Sequence, residues 1–410
     1  MTGPGLPAHT DVCILGAGPH GLAAAHHLRS ADPGLTLTVL DPAGDWLSTW
    51  HEQFERAEIT TLRSPVVHHP VHDPSALAQF VHRTRAPRSG LPYDAPTATA
   101  FARFCRSIVA DAALPQPIPA RVTSVRNVGD GLELTTDAGN LRATHLVVAT
   151  NPHRRVIPEW TFPLLGRRVG LVTYGLDVDL RQIGSLEGQR VAVVGGGLTA
   201  AHLACGAVAR GADVELLARR RLRVKNFDTD PGWLGPKFLD GFAAVTDAAE
   251  RLAIARAARG GGSIPPWMHD RLRTLAATGR LMIREAATVE CAAIDIDGAS
   301  SLRLDTDDRV RADHVWIATG TECDIGALRC LDSLALDAPM LDGKPLVDSS
   351  LRLGPHPVYL MGRLATAALG PAAGILWGAQ RAAHRITEAL TGVHLRGRSI
   401  ATIPVDDAGA

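Results

Sequence analysis

Apolar positions along the chain follow two periods, and the same switch between them occurs twice. The run DVCIL (11–15) reads as a buried strand, followed by a glycine turn and a helix opening near Pro19. LTLTVLD (35–41) predicts a second strand. Residues 42–95 carry little periodicity but many Trp, His and Pro, which suits ligand-contacting loops. An amphipathic helix is expected over 96–113, with Thr97 as its cap. RVTSVRNV and LELTTDAG then alternate around Gly129-Asp130-Gly131, a hairpin signal, and HLVVAT (145–150) is another buried strand.

The pattern restarts at RVAVVGGGLTAAHLACGAVARGADVELLARR (190–220), again strand, glycine turn, helix and strand. An Arg-rich, mostly helical insert is expected over 221–285, with strands near 286–295, 301–305 and 311–319. HPVYLMG (356–362) predicts a late strand, and a last helix is expected from Pro371 to Leu390. The Pro/Gly-rich residues 1–10 are expected to fray. The fold class is therefore α/β, with two Rossmann-like dinucleotide-binding domains, one inserted in the other. The expected division is 1–160, 161–325 and 326–410, the first and last segments forming one domain.

Composition narrows the chemistry. Lys and Arg total 42, as do Asp and Glu, so the chain lacks the basic excess that a nucleic-acid groove needs. Six cysteines are scattered without a CxxC, which offers neither a zinc knuckle nor a redox dithiol and suits a cytoplasmic protein. No signal peptide and no apolar run of about 20 residues is evident, so no membrane partner is expected.

In the first turn, Gly16 permits the tight bend, Gly18 lets a diphosphate approach the backbone, and Gly21 allows helix and strand to pack closely. Pro19 and His20 open the helix, whose free N–H groups and positive dipole end favour phosphate. Asp41 ends the next strand, where a carboxylate can accept both ribose hydroxyls. The second turn, Gly195-Gly196-Gly197-Leu198-Thr199-Ala200, is a GxGxxA variant. Ala218 replaces the acid there and is followed by Arg219, Arg220 and Arg221, which suits the 2′-phosphate of NADPH, with Arg219 or Arg220 as the contact.

Two dinucleotide sites imply two cofactors, a flavin reduced by a nicotinamide. On these motifs the chain resembles the two-dinucleotide-domain flavoproteins, which implies FAD in the outer domain and NADPH in the inner one. Ala149-Thr150-Asn151 and Ala318-Thr319-Gly320-Thr321 resemble the family's crossover segments; Asn151 stands for the usual glycine, and asparagine too can adopt left-handed angles. Gly44-Asp45-Trp46-Leu47-Ser48-Thr49-Trp50 and Asp313–Thr321 resemble motifs of the class B NADPH-dependent monooxygenases, in particular the lysine and ornithine N-hydroxylases. Thr321 replaces the tyrosine of the second motif. Before the second glycine turn the chain reads Leu165 to Tyr174 without the FxGxxxHSxxY fingerprint, which speaks against Baeyer–Villiger chemistry.

The resemblance implies hydroxylation of a small molecule by NADPH and O2 through an oxygenated flavin, an amine being the expected acceptor. The alternative is an NADPH-dependent flavin oxidoreductase that passes electrons to an acceptor or quinone without inserting oxygen. Trp46, Trp50 and Arg63 are expected along the flavin ring, with Val122, Thr150, Thr319, Gly320 and Gly362 also near cofactor. Gly362-Arg363 stands where many reductases carry Gly-Asp. Gly370 to Gly374, including Ala373, is expected to open the last helix and aim its N-terminus at the flavin. Lys225, Asn226, Asp228 and Lys237 are candidates for selecting a polar substrate. No catalytic side chain and no metal is assigned; one of His68, His69, His72 and His82 is a candidate proton donor. The substrate's identity and the oligomeric state stay open.

Overall fold

The computed structural model describes residues 5–166 and 171–395. The tips of the expected frayed start, the middle of the 165–174 segment and the tail beyond 395 lie outside them. The first strand, β1 (His9–Leu15), begins inside the stretch expected to fray, because His9 and Thr10 pair with Arg142 and Ala143. Helix α1 (Pro19–Ala31) and β2 (Leu37–Leu40) complete the first strand–helix–strand unit. Residues 42–95 hold two helices that periodicity did not reveal, α2 (Ser48–Arg56) and α3 (Ala76–Thr84). No residue of α2 is fully buried, and its apolar face is a single half-buried pair, Trp50 and Phe54, too short to read as a period. Helix α4 (Ala98–Asp111) is capped as expected, the Thr97 hydroxyl accepting from the Ala100 N–H at 3.1 Å.

A three-stranded meander follows, β3 (Val122–Asn127), β4 (Leu132–Thr136) and β5 (Gly139–Val148). The sheet order is β2-β1-β5-β4-β3, and the late strand Val358–Leu360 pairs in parallel with Leu146–Val148. The chain thus returns to its first sheet after more than 200 residues spent elsewhere. One face of this sheet is covered by α1, α4 and the C-terminal helix (Leu376–Thr391), with Leu22, Leu28 and Phe101 fully buried. Each such side chain contributes about 1.5–3 kcal/mol.

The second sheet is wholly parallel. Its strands are β7 (Val172–Tyr174), β8 (Arg190–Val194), β9 (Asp213–Ala218), β10 (Leu281–Glu285) and β14 (His314–Ile317), ordered β10-β9-β8-β14-β7. Helix α5 (Leu198–Ala209) follows the second glycine turn, and α6 (Pro236–Ala244), α7 (Ala248–Arg259) and α8 (Pro266–Ala277) form the insert. A separate antiparallel sheet is built from β11 (Val289–Ile294), β12 (Ser300–Leu304) and β13 (Arg309–Ala312).

The two chain crossings pair with each other: β6 (His153–Arg155) runs antiparallel to β15 (Thr321–Cys323). Gly320 adopts a positive φ of 89°, its carbonyl accepting from the Val156 N–H and from the Tyr174 hydroxyl. Asn151 keeps a negative φ, so this crossing needs no glycine. The last helix differs from expectation. Gly370–Gly374 forms a turn and the helix starts at Leu376, because Ile375 is extended, with φ −107° and ψ 172°.

Candidate functional site

The first glycine turn is shaped by contacts that no side chain could satisfy. A Cβ on Gly21 would lie 2.0 Å from the Gly16 carbonyl oxygen, which lets α1 press against β1. A Cβ on Gly18 would meet nothing within 4 Å, so this residue faces open space. Helix α1 has no side-chain cap and no acid in its first turn, leaving its leading N–H groups for an anion. Asp41 accepts from the Ala17 and Ala43 N–H groups, one per carboxylate oxygen, both at 2.9 Å. A carboxylate has about four lone-pair sites, so capacity for ribose hydroxyls remains.

Distant segments close the site. The ring nitrogen Nε2 of His20 lies 3.3 Å from the Ala373 carbonyl, and Gly362 leaves room beside the same ring. Burial lowers the His20 pKa, against a smaller opposing effect of the Ala373 carbonyl, so the ring is held neutral. Thr150 stands against Gly16, and its buried hydroxyl has no partner. Arg363 donates to the Thr321 hydroxyl and carbonyl, both at 3.0 Å, but forms no ion pair among the described residues. Burial lowers its pKa, opposed by the nearby Cys323 and Glu322.

The two tryptophans are held differently. Trp46 is only 8% exposed, packs in the core and donates its indole N–H to the Pro115 carbonyl at 3.1 Å. Trp50 stacks on Phe54, their centroids 4.0 Å apart. Trp46 is enclosed by the core, whereas Trp50 is half-buried. Between them Leu47 is held at a φ of 63°, pinned by its N–H bond to the Ala17 carbonyl at 2.8 Å. Such backbone costs about 1–3 kcal/mol and clusters at functional sites. Val122 likewise gives its side chain to the meander core. Its neighbour in sequence, Ile118, bridges Leu40 next to Asp41.

The second turn is built alike but covered differently. A Cβ on Gly195 would lie 2.4 Å from the Ala318 carbonyl oxygen, and α5 is uncapped, with Gly197 at its N-cap. Leu198 packs on the core of this module, leaving Thr199 beside it in the first turn of α5. Arg219, Arg220 and Arg221 are exposed beyond β9. Desolvation and then the charges of Arg223 and Arg219 lower the Arg220 pKa, and no acid answers them. Thr319 ties back to the Val156 carbonyl at the crossing.

A strap absent from the sequence expectations, Arg259 to Ser263, runs from the second glycine turn to Arg63 and to the Gly370 turn. A Cβ on Gly262 would sit 2.8 Å from Gly197 Cα, and Arg220 donates to the Gly262 carbonyl at 3.3 Å. The next residue, Ser263, is gripped by Arg63, whose side chain is 11% exposed. Arg63 also pairs with Asp228 at 2.5 Å and donates to the Lys225 and Asn226 carbonyls. Of the candidates for substrate selection, Asp228 thus gives its side chain to Arg63, Lys225 and Asn226 give only their backbone carbonyls, and Lys237 lies over the Phe238 ring. At the strap's other end Arg259 reaches the Pro371 carbonyl at 3.4 Å. The run Gly260-Gly261-Gly262 was the available signal, since only glycines allow backbone so close to a second glycine turn. Thr229, 2% exposed with an unpartnered hydroxyl, was equally unmarked.

The four histidines do not gather here as one group. His68 and His69 are buried, with pKa values pushed down to about 4, while His72 packs against His26. His82 lines a separate cavity of 430 Å³ with Val66, Val81 and Arg88, which shares no residue with either glycine turn. No helix among the described residues is long and apolar enough to cross a membrane.

Comparison with known proteins places this geometry. The FAD-bound cadaverine monooxygenase of desferrioxamine biosynthesis from Erwinia amylovora superposes with a TM-score of 0.77 at 16% identity, covering 97% of this chain and 98% of that one. An ornithine N-hydroxylase from Kutzneria sp. 744, solved with reduced FAD, NADP+ and L-ornithine, gives 0.75 at 18% identity over 93% and 99%. The bacillithiol disulfide reductase from Staphylococcus aureus gives 0.63 at 15% identity over 94% and 99%. These likenesses establish a shared fold. No curated protein matches by sequence. The model of the pyridine nucleotide-disulphide oxidoreductases matches residues 13–260, more than half of the chain, which therefore belongs to that family.

Proposed function

We propose that the chain is an FAD-dependent monooxygenase that uses NADPH and O2 to hydroxylate a small-molecule amine at nitrogen. Residues 1–160 and 326–410 form its FAD module and 161–325 its NADPH module. The observation that carries this reading is the strap: Arg259 to Gly262 spans from the second glycine turn to the Gly370 turn of the first module. A strap that ties the second glycine turn to the turn bearing Ala373, the partner of His20 in α1, suits transfer between two cofactors.

In this reading the α1 N-terminus and Gly18 hold the FAD diphosphate, Asp41 accepts its ribose hydroxyls, and Thr150 supplies its free hydroxyl. Arg363 balances negative charge on the cofactor. Gly197, Thr199 and the α5 N-terminus hold the NADPH diphosphate, with Arg219 and Arg220 on its 2′-phosphate. FAD and NADPH, when bound, would supply the redox chemistry, while these residues would position the cofactors, balance their charge and exclude water. The likeness to enzymes acting on cadaverine and ornithine supports an amine. All six cysteines are free, and Cys323 and Cys330 are buried, the latter thiol pushed up to about 11. That argues against a reducing dithiol.

Stopped-flow absorbance tests the proposal. The protein is reduced with NADPH without oxygen and mixed with aerated buffer. A lasting transient, distinct from oxidised and reduced flavin, is expected. Direct return to oxidised flavin with stoichiometric peroxide would favour the electron-passing reading, to which the likeness to a disulfide reductase points.

A further inference from the structure

The C-terminal helix ends in a cluster that the cofactor cleft does not use. His384 and Glu388 are one turn apart on one helix face. Gly392 then takes a left-handed φ of 69°, its N–H bonding the Glu388 carbonyl at 2.9 Å. This reversal folds His394 back onto the same face, its ring 4.5 Å from that of His384 and nearly perpendicular to it. The ligand atoms of all three residues lie within 4.8 Å of one another.

We propose that His384, Glu388 and His394 bind a divalent transition-metal ion of the zinc class. His394 Nδ1 and Glu388 Oε1 are 3.4 Å apart, matching the ~3.3–3.4 Å edge of a tetrahedron with bonds of about 2.0–2.1 Å. The remaining separations close by rotation of exposed side chains. Zinc requires neutral imidazole at both histidines. Arg381 and Arg385 flank the site and oppose a cation, whereas the carboxylate and the negative end of the helix favour one. Three protein ligands leave a fourth position for water. Glu388 lies about 18 Å along the helix from Leu376, so the ion would clip the chain after Gly392 to the helix rather than serve the cleft.

Calorimetric titration of Zn2+ into the EDTA-treated, full-length protein tests the site and needs no turnover. One equivalent should bind, and be lost in His384→Ala/His394→Ala. Loss of an outer-shell partner already weakens metal sites about 10–100-fold, so Glu388→Gln should weaken binding at least about tenfold. His9→Ala, a surface control, should bind as the parent does. Zn2+ should raise the melting temperature of the parent but not of the double variant. Equal binding by parent and double variant would overturn the site, as would no binding by the parent.

Discussion

The two glycine turns share a backbone plan and differ in what closes them. The first is sealed by distant chain: Thr150 lies against Gly16, and His20 meets Ala373. The second is closed at Gly195 by Ala318 and over Gly197 by a glycine strap, and is otherwise open to exposed arginines. Even the third turn position differs, Gly21 being jammed against Gly16 where the second turn accepts Ala200. A sealed cradle suits a cofactor that stays and an open one suits a cofactor that exchanges. Equal architecture therefore does not imply equal residence.

Acid should divide the two modules most strongly. Burial holds His26, His68, His69 and His202 at pKa values of about 4 and His27 at about 3. The unfolded chain protonates these rings below about 6.5, whereas the fold resists until near pH 4, so stability falls as pH drops through that window. Four of the five belong to the first module. Hydrogen exchange at descending pH should show β1 and α1 losing protection before β8 and α5; simultaneous loss would contradict the comparison.

Gly21→Ala should come next, because a methyl group 2.0 Å from a backbone oxygen forces α1 off β1. A cost of about 3 kcal/mol is expected, with loss of bound flavin, measurable by denaturant titration and flavin content. Ala200→Gly in the second turn should alter flavin content little. Arg219→Ala/Arg220→Ala should lower the NADPH-over-NADH preference in kcat/KM by about 10–100-fold, the worth of charged hydrogen bonds. An unchanged ratio would remove these arginines from the 2′-phosphate. The smallest effect is expected for Thr150→Val, about 1 kcal/mol of FAD affinity at unchanged melting temperature of the apoprotein.

Local patterns made much of this legible. Both strand–turn–helix units, the Thr97 cap and the hairpin could be read because each depends on neighbours within a few residues. Helix α2 escaped because its apolar face is only the half-buried pair Trp50 and Phe54, and the Gly370 turn was mistaken for a helix start because Pro371 resembles an N1 proline. Spacing does not say which side an indole faces, and Trp46 turns its ring into the core.

By itself the sequence determined the doubled α/β plan, the two glycine turns and the exchange of Asp41 for Ala218 and arginines. Each is written in residue types at short spacing, where sterics and hydrogen bonding leave one answer. Tertiary structure alone decided that His20 meets Ala373, that Arg63 clasps Ser263 and Asp228, and that Gly262 rests on Gly197. Those contacts join residues far apart in the chain, and their energy depends on burial and packing that no local pattern carries.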